Sequence, residues 1–430
     1  MASGGFTDTL WHATAHPGPT FLPLDSDLDV EVAVIGAGFT GLTAALALAE
    51  AGVSCAVLEA EDIGWGASSR NAGFVVPNFA KVDPDDVVAK LGTERGERLV
   101  DLIGSSGDAV FALIKRLGIE CEARQTGWIQ GAQAEVIRPR LEARAAQWAK
   151  RGRPVAVLSK AEAQGMTGCE RFVGGWTDRS GGTLHPLNYV RGLAVAAQSA
   201  GARIFVRTKV KRMARHGDQW QMVTPRGRVT ARRVLLCTNA YVGKLHPVLS
   251  RSFIPLRIYQ IATEPLEAAT AARLLPGRQG AADARYDVFT FRLDGQNRLI
   301  SGGMPVNPFG AQARMGRGIV QRLVRMLNLP YVPKLQFVWT GTAAVTPDFL
   351  PRLHELAPGL FAGIGCNGRG IGMTTVLGGV LAKAAQGVPL DELPVPATSV
   401  TALPFHFIAR HAPKAALPVG RYNDWRVAGR

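Results

Sequence analysis

Hydrophobic positions along the chain fall first into a short β-branched run, Val30–Ile35, and then into a run of strong helix formers, Leu42–Glu50, closed by Gly52. A second apolar strand pattern follows at Cys55–Leu58, so the spacing predicts a β-α-β unit. A similar order returns about 330 residues later. Leu360–Gly365 reads as a core strand, residues 366–375 as a glycine-rich loop, and Val376–Ala382 as a helix. Between these ends the pattern predicts a helix over Asn188–Gly201 and strands over Arg203–Lys211, Gln219–Thr224 and Val229–Leu236. The last two are separated by the turn signal Pro225-Arg226-Gly227, and together the three form a ribbon. Arg95–Leu117 and Ala134–Lys150 read as helices, with Pro139 kinking the second or marking its true start. Leu256–Ala262, Tyr286–Leu293 and Arg298–Gly302 read as sheet. The tail after Leu390 is proline-rich with little periodicity, and is expected to pack across the body or to contact a second subunit.

Composition narrows this only coarsely. At 430 residues the chain has room for two or three domains. With 47% hydrophobic and 19% charged residues, neither disorder nor a long coiled coil fits, and the glycines lack the collagen period. Cys55, Cys121, Cys169, Cys237 and Cys366 lie far apart with no CxxC pair, which argues for buried free thiols. No metal site is expected. The first residues lack a basic patch followed by an apolar run, and no stretch reaches 18 apolar residues, so a soluble cytoplasmic protein with no transmembrane segment is the expectation. The formal charge of +15 raises a nucleic-acid partner. The basic residues are dispersed and no reader motif appears, so no nucleic-acid partner is expected.

The glycine loops carry the chemistry. Gly36 allows a sharp turn after the strand, Gly38 lets the backbone approach a pyrophosphate, and Gly41 lets the helix pack tightly on the sheet. Phe39 and Thr40 begin a helix whose free N–H groups suit phosphates. Glu59, with Ala60 beside it, stands where a carboxylate takes ribose hydroxyls. The order strand, glycines, helix, strand and acid is a dinucleotide site. It does not by itself separate FAD from NAD. The loop that follows, Gly64–Phe74, is rich in small residues and donors: Gly66, Ala67, Ser68, Ser69, Asn71, Ala72 and Gly73. The alternating strand–helix rhythm that an NAD domain would continue stops there. The second loop, with Gly365, Asn367, Arg369, Gly370, Ile371, Gly372, Met373 and Thr374, supplies another helix start. A helix N-terminus there suits negative charge on a reduced flavin ring.

At this point the sequence resembles the FAD-dependent D-amino-acid, glycine and sarcosine oxidase (DAO) family, and within it the gamma-glutamylputrescine oxidoreductase-like branch. The segments that carry the resemblance are TLWHATAHP (9–17), VAVIGAGFTGL (32–42), GWGASSRNAGF (64–74), GGTLHPLNYVRGL (181–193), LLCTNAY (235–241), FRLDGQNRLISGG (291–303) and WTGTAAVTPDFLPRL (339–353). They run in order over nearly the whole chain. The resemblance implies an α/β Rossmann-like FAD-binding domain of the glutathione-reductase type, interleaved with an α+β substrate domain built on an antiparallel sheet. Its expected division is 1–90, 180–245 and 336–390 for the cofactor, 91–179 and 246–335 for the substrate, and 391–430 as a tail. It also implies contacts to FAD near Val210, Thr238 and Gly341, the first through its backbone to adenine. Relatives that attach FAD covalently do so through a cysteine shortly before the last loop. None stands between Cys237 and Cys366, so FAD is expected to be non-covalent.

Flavin-dependent amine oxidation asks the protein mainly to position a neutral amine. The expected activity is oxidation of the C–N bond of a secondary amine or a gamma-glutamylputrescine-like substrate to an imine, then hydrolysed. The alternatives are a D-amino-acid or N-methyl-amino-acid dehydrogenase or oxidase, and a non-catalytic flavoprotein subunit of a larger oxidase. The electron acceptor is oxygen or a carrier, and the oligomeric state is left open. Asn71 serves the flavin or substrate, or caps its turn. Tyr259 lies on a strand that relatives use for the substrate face, or it belongs to the core. Arg292 lines the pocket or is an ordinary sheet residue. Arg369, where many relatives have Gly-His-Gly, stabilises the reduced flavin or points away as a loop arginine. His185 reads as structural. The arginine-proline stretch with which glycine and D-amino-acid oxidases hold a carboxylate is replaced by Trp339-Thr340-Gly341-Thr342.

Overall fold

The computed structural model describes residues 8–306 and 310–428. Two eight-stranded sheets dominate it. The first runs in the order Arg352–Ala357, Leu360–Ile364, Arg228–Leu236, Leu28–Ile35, Cys55–Leu58, Arg203–Phe205. Its central pairings are parallel, with Val34 opposite both Val57 and Leu235, and Leu235 opposite Phe361. Residues 32–35 and all of Cys55–Leu58 are buried, as expected of parallel strands covered on both faces. The helices Phe39–Glu50 and Gly370–Ala385 lie packed against each other on this sheet, joined by Pro186–Ser199 and Ser106–Leu117. Leu42, Leu46, Leu377 and Leu381 share one core there.

The second sheet runs Leu335–Val345, Ile254–Pro265, Arg298–Gly303, Thr290–Leu293, Gly280–Asp283, Trp128–Ala132, Gly174–Asp178, Val155–Leu158. It is antiparallel except where Gly280–Asp283 meets Trp128–Ala132. Helix Ala311–Leu327 covers one face, with Ile319, Val320 and Leu323 buried among Ile261, Phe289, Phe291 and Leu299. The opposite face, with Leu256, Ile258 and Gln260, shares the cavity described below with the carboxyl ends of the first sheet's central strands.

Several expected elements differ in detail. The ribbon is formed by Arg212–His216, Gln219–Val223 and Arg228–Leu236. The strand expected over Arg203–Lys211 ends at Phe205 and belongs to the far edge of the parallel sheet, beside Cys55–Leu58. The chain turns at Arg207, φ +49, where its N–H and that of Thr208 bond the carbonyls of Glu61 and Glu59. The expected helix Arg95–Leu117 is two helices, Thr93–Gly104 and Ser106–Leu117, interrupted where the Ser105 hydroxyl donates to the Asp101 carbonyl at 2.7 Å. Pro139 marks a helix start, since Arg138–Ala149 begins one residue before it. Residues 286–289 are not strand, because the Asp283 carboxylate accepts from the N–H groups of Arg285 and Phe289 and curls the chain. The tail is helical over Ala412–Ala428 despite Pro418, and it packs across the body. All five cysteines are buried and unpaired. Among the described residues no helix is long and apolar enough to cross a membrane.

Candidate active site

A cavity of about 1000 Å³ runs between the two sheets, at the large end of the range for small-molecule sites. One end lies over the carboxyl ends of the parallel strands. There Gly36, Gly38, Phe39 and Thr40 line it beside Glu59, Ala60, Val210 and Thr238. A Cβ on Gly41 would collide with the Gly36 carbonyl, so the first helical turn closes on the loop only with glycine there. Glu59 Oε2 accepts from the Ala37 N–H at 2.7 Å and Oε1 from the Glu61 N–H at 3.0 Å. Burial raises the Glu59 carboxyl above its usual range, and these backbone bonds pull the other way. Ser68 Oγ accepts from the Phe39 N–H at 3.1 Å, tying the second loop to the first helix.

The loop through residues 65–73 forms the middle of the wall and is held from behind. Trp11 Nε1 donates to the Asn71 carbonyl at 2.8 Å and Trp339 Nε1 to the Arg70 carbonyl at 3.1 Å. The N-terminal motif and the Trp339 motif therefore act on one loop from opposite ends of the sequence. Asn71 lines the cavity, but its side chain is engaged inside the turn: Nδ2 donates to the Ala67 and Ser68 carbonyls and Oδ1 accepts from the Gly73 N–H at 2.8 Å. This is the turn-capping alternative. Gly66, Ala67, Ser68 and Ala72 also line the cavity. Buried Ser69 does not, nor does Gly73.

From the far end of the sequence, Gly341, Asn367, Arg369, Gly370, Ile371 and Thr374 line the cavity, while Gly365, Gly372 and Met373 lie behind them. Asn367, φ +49, accepts from the Thr346 N–H at 2.9 Å and donates to the Gly365 carbonyl at 2.9 Å, so it fastens its own loop. The helix Gly370–Ala385 begins at the cavity wall, and so does Phe39–Glu50. Two helix N-termini thus meet one space, a setting suited to negative charge.

Two expected substrate residues are elsewhere. On strand Ile254–Pro265 the residues facing the cavity are Ile254, Leu256, Ile258 and Gln260. Tyr259 therefore points to the opposite face, into the core with Ile319 and Leu323. Arg292 is buried under the loop, and its Nη1 donates to the carbonyls of Gly73 and Leu184 at 2.8 Å each. Its guanidinium is a clamp on main chain. Burial lowers its pKa to about 10. His185 is structural: Nδ1 accepts from the Asn188 N–H at 3.2 Å as a helix N-cap, and Nε2 meets Thr14 Oγ1 at 3.1 Å.

The remainder of the wall was not anticipated. Trp65, Tyr241, Trp128, Lys81, Gln260, Tyr286, Met304 and Leu417 all face the cavity. Gln260 lies on strand Ile254–Pro265, whose cavity-facing parity the sequence leaves open, and Lys81 sits in an aperiodic loop. Thr238 Oγ1, Asn239 Oδ1, Gln260 Oε1, Trp128 Nε1 and Arg369 Nε are enclosed without a hydrogen-bond partner among the described residues. Buried polar groups are normally paired, so this set fits a large polar ligand that would complete them. An elongated dinucleotide flavin suits both the length of the wall and this donor–acceptor set.

Comparison with known proteins agrees with that geometry. The family described as FAD dependent oxidoreductase (DAO) matches residues 31–384. The chain is 30% identical to gamma-glutamylputrescine oxidoreductase of Escherichia coli (strain K12) over 89% of each chain. It is 26% identical to glycine oxidase of Geobacillus kaustophilus (strain HTA426) over 83% of this chain and 93% of that one. The crystal structure of glycine oxidase from Geobacillus kaustophilus superposes with a TM-score of 0.71, covering 84% of this chain and 96% of that one at 23% identity.

Proposed function

The chain belongs to the FAD dependent oxidoreductase (DAO) family, and from that premise we propose that it oxidises the C–N bond of an amine or amino acid to an imine, which water then hydrolyses to a carbonyl product. The protein is an FAD-binding oxidoreductase. The substrate is a secondary amine or a gamma-glutamylputrescine-like compound, the compound being named for the Escherichia coli relative. The observation that carries this reading is the cavity itself, with unpartnered polar atoms at its wall and two helix N-termini at its rim.

When bound, FAD supplies the acceptor that takes a hydride from the carbon bearing nitrogen. We assign the adenosine end to the wall made by Gly36, Glu59 and Val210, and the ring end to the wall made by Gly341 and the 366–374 loop. The chain's own residues set the conditions. Trp128, Val288 and Leu417 make the substrate end apolar and keep bulk water out. Lys81 and Arg369 line the same space and disfavour an ammonium, which keeps the reacting amine neutral. Cys366 Sγ faces the Ala344 carbonyl at 3.8 Å, and FAD is held without a covalent bond. The interleaved division into cofactor segments 1–90, 180–245 and 336–390, substrate segments 91–179 and 246–335, and a tail from 391 belongs to this reading. The first-sheet strands lie within the cofactor segments, while strand Leu335–Val345 straddles a boundary and pairs in the second sheet.

The test is anaerobic mixing of the yellow protein with secondary amines, polyamine conjugates, N-methyl amino acids and D-amino acids. Loss of the flavin absorbance with the first two groups is expected. Bleaching by D-amino acids alone would overturn the substrate assignment, and no bleaching by any would leave a binding subunit. Admitting oxygen afterwards separates an oxidase, which recovers colour at once, from a dehydrogenase.

A further inference from the structure

We propose that the C-terminal segment 405–428 docks the protein peripherally on an anionic phospholipid surface, through the outward side of helix Ala412–Ala428 and the short helix His406–Ala409 before it. Such docking is independent of the substrate class proposed above, because it uses none of the side chains that line the cavity.

Helix Ala412–Ala428 has two sides of different character. On its inward side Ala416 and Leu417 line the cavity, and a Cβ on Gly420 would strike the Tyr286 ring. The Asp424 carboxylate accepts there from the Tyr286 and Asp287 N–H groups. These positions recur at spacings of three and four, so they share one side. Val419, Tyr422 and Trp425 recur every three residues on the other, and the rings of Tyr422 and Trp425 stand 5.9 Å apart. Phe405, Phe407 and Ile408 stand out from the chain just before the helix. These six side chains are 49–73% exposed. Seven of the sixteen large apolar residues exposed among the described residues lie within 405–427, a concentration where scatter is the norm.

The charge of the segment selects the partner. Arg410, Lys414 and Arg426 are exposed and pair with no carboxylate among the described residues. From 393 to 428 the single acid is Asp424, which is turned inward, and Arg421 already holds Asp287. The outward surface therefore joins aromatic and aliphatic side chains to cations, with no acid among them. That combination fits the boundary between acyl chains and anionic headgroups, where apolar burial and charge attraction add. A second copy seated on the same face would bring like charges together unanswered. Docking would hold the cavity wall at Ala416 and Leu417 about 10 Å, one helix diameter, from the lipid.

The experiment sediments the FAD-loaded protein with vesicles of phosphatidylcholine alone and with vesicles carrying about 30% phosphatidylglycerol. Binding to the anionic vesicles is expected to be about tenfold or more tighter, and to weaken as salt is added. Lys414→Glu with Arg426→Glu, and separately Phe407→Ser with Trp425→Ser, are each expected to lower that affinity about tenfold or more, with FAD content and thermal unfolding as in the parent. A chain of net charge +15 adsorbs to anionic lipid without a dedicated face, so a matched pair serves as control. Arg212→Glu with Arg215→Glu, on the exposed strand Arg212–His216, should lower affinity less than about threefold. Brominated acyl chains should quench tryptophan emission, and Trp425→Phe should bind yet lose that quenching. Equal losses from the two charge pairs, a loss confined to the charge pairs, or quenching that survives in Trp425→Phe overturns the proposal. So does the lack of binding to either vesicle. If the protein then sediments as a dimer that Phe407→Ser with Trp425→Ser dissociates, the face belongs to a second copy. Should one C-terminal pair lose FAD, the other pair and Trp425→Phe decide.

Discussion

Arg292 Nη1 donates to the carbonyl oxygen of Gly73 at 2.8 Å across more than 200 residues of sequence. The same nitrogen bonds the Leu184 carbonyl, so one buried cation ties the cofactor-side loop to the segment preceding helix Pro186–Ser199. Gly73 has φ +76, and a Cβ there would strike both partners. The contact explains why arginine and glycine occur where they do.

Arg292→Met should therefore destabilise the fold by about 2–4 kcal/mol, because enclosed carbonyls lose a charged donor. The measurement is thermal unfolding of the FAD-loaded and FAD-free protein. FAD occupancy is expected to fall, while turnover per bound flavin stays within about twofold. A normally stable variant whose KM alone rises would return Arg292 to the substrate.

Tyr259 and Gln260 lie side by side in sequence but on opposite faces of one strand. Tyr259→Phe is expected to leave kcat/KM within about twofold. Gln260→Leu, which alters the cavity wall, should change it by about tenfold. Steady-state kinetics on both variants decide the matter, and the reverse order would mean that the strand turns its other face to the substrate.

That pair also shows where the sequence stopped being legible. The parallel β-α-β unit could be read because glycine spacing, helix formers and the acid at Glu59 all serve one local object. Tyr259 could not, because which parity of its strand meets the cavity is set by the neighbouring strands Arg298–Gly303 and Leu335–Val345. Lys81 gives no periodic signal in a loop, and the fold brings it to the same cavity as Arg369, almost 290 positions away. The tail hid its helix behind Pro418 and a weak apolar face. The loop through residues 65–73 was legible as a turn, yet its two tryptophan props, Trp11 and Trp339, are visible only in three dimensions.

His185 predicts a pH dependence of stability. Burial, reinforced by the charge of Arg292, lowers its pKa from 6.5 to about 3. The folded protein thus holds the neutral ring, with Nδ1 accepting from Asn188. A depressed histidine contributes stability that is fully present above pH 6.5 and is lost as pH falls toward 3. The loss should be on the order of 4 kcal/mol over that window. Denaturant titrations between pH 7 and 4 check it. In His185→Asn, which keeps a capping acceptor, the slope with pH should be shallower, and an unchanged slope would assign the acid sensitivity to other groups.

The C-terminal helix Ala412–Ala428 bears on access to the substrate end. Ala412, Pro413, Ala416 and Leu417 line the cavity, and Leu417 is 2% exposed. Two polar ties hold the helix further along. The Asp424 carboxylate accepts from backbone N–H groups at Tyr286 and Asp287, and Arg421 Nε meets Asp287 Oδ2 at 2.8 Å. The ties differ in worth. Arg421 is 45% exposed, and such pairs contribute about 0–1 kcal/mol. Backbone bonds to a carboxylate contribute about 1.5–3 kcal/mol. Asp424→Ala should accordingly loosen the helix more than Arg421→Ala. The expected result is a KM raised about tenfold in the first and about threefold or less in the second, with greater quenching of flavin fluorescence by iodide in the same order. Equal quenching in both variants and in the parent protein would mean that the helix rests on Leu417 and its apolar neighbours alone, and that substrate enters by another route.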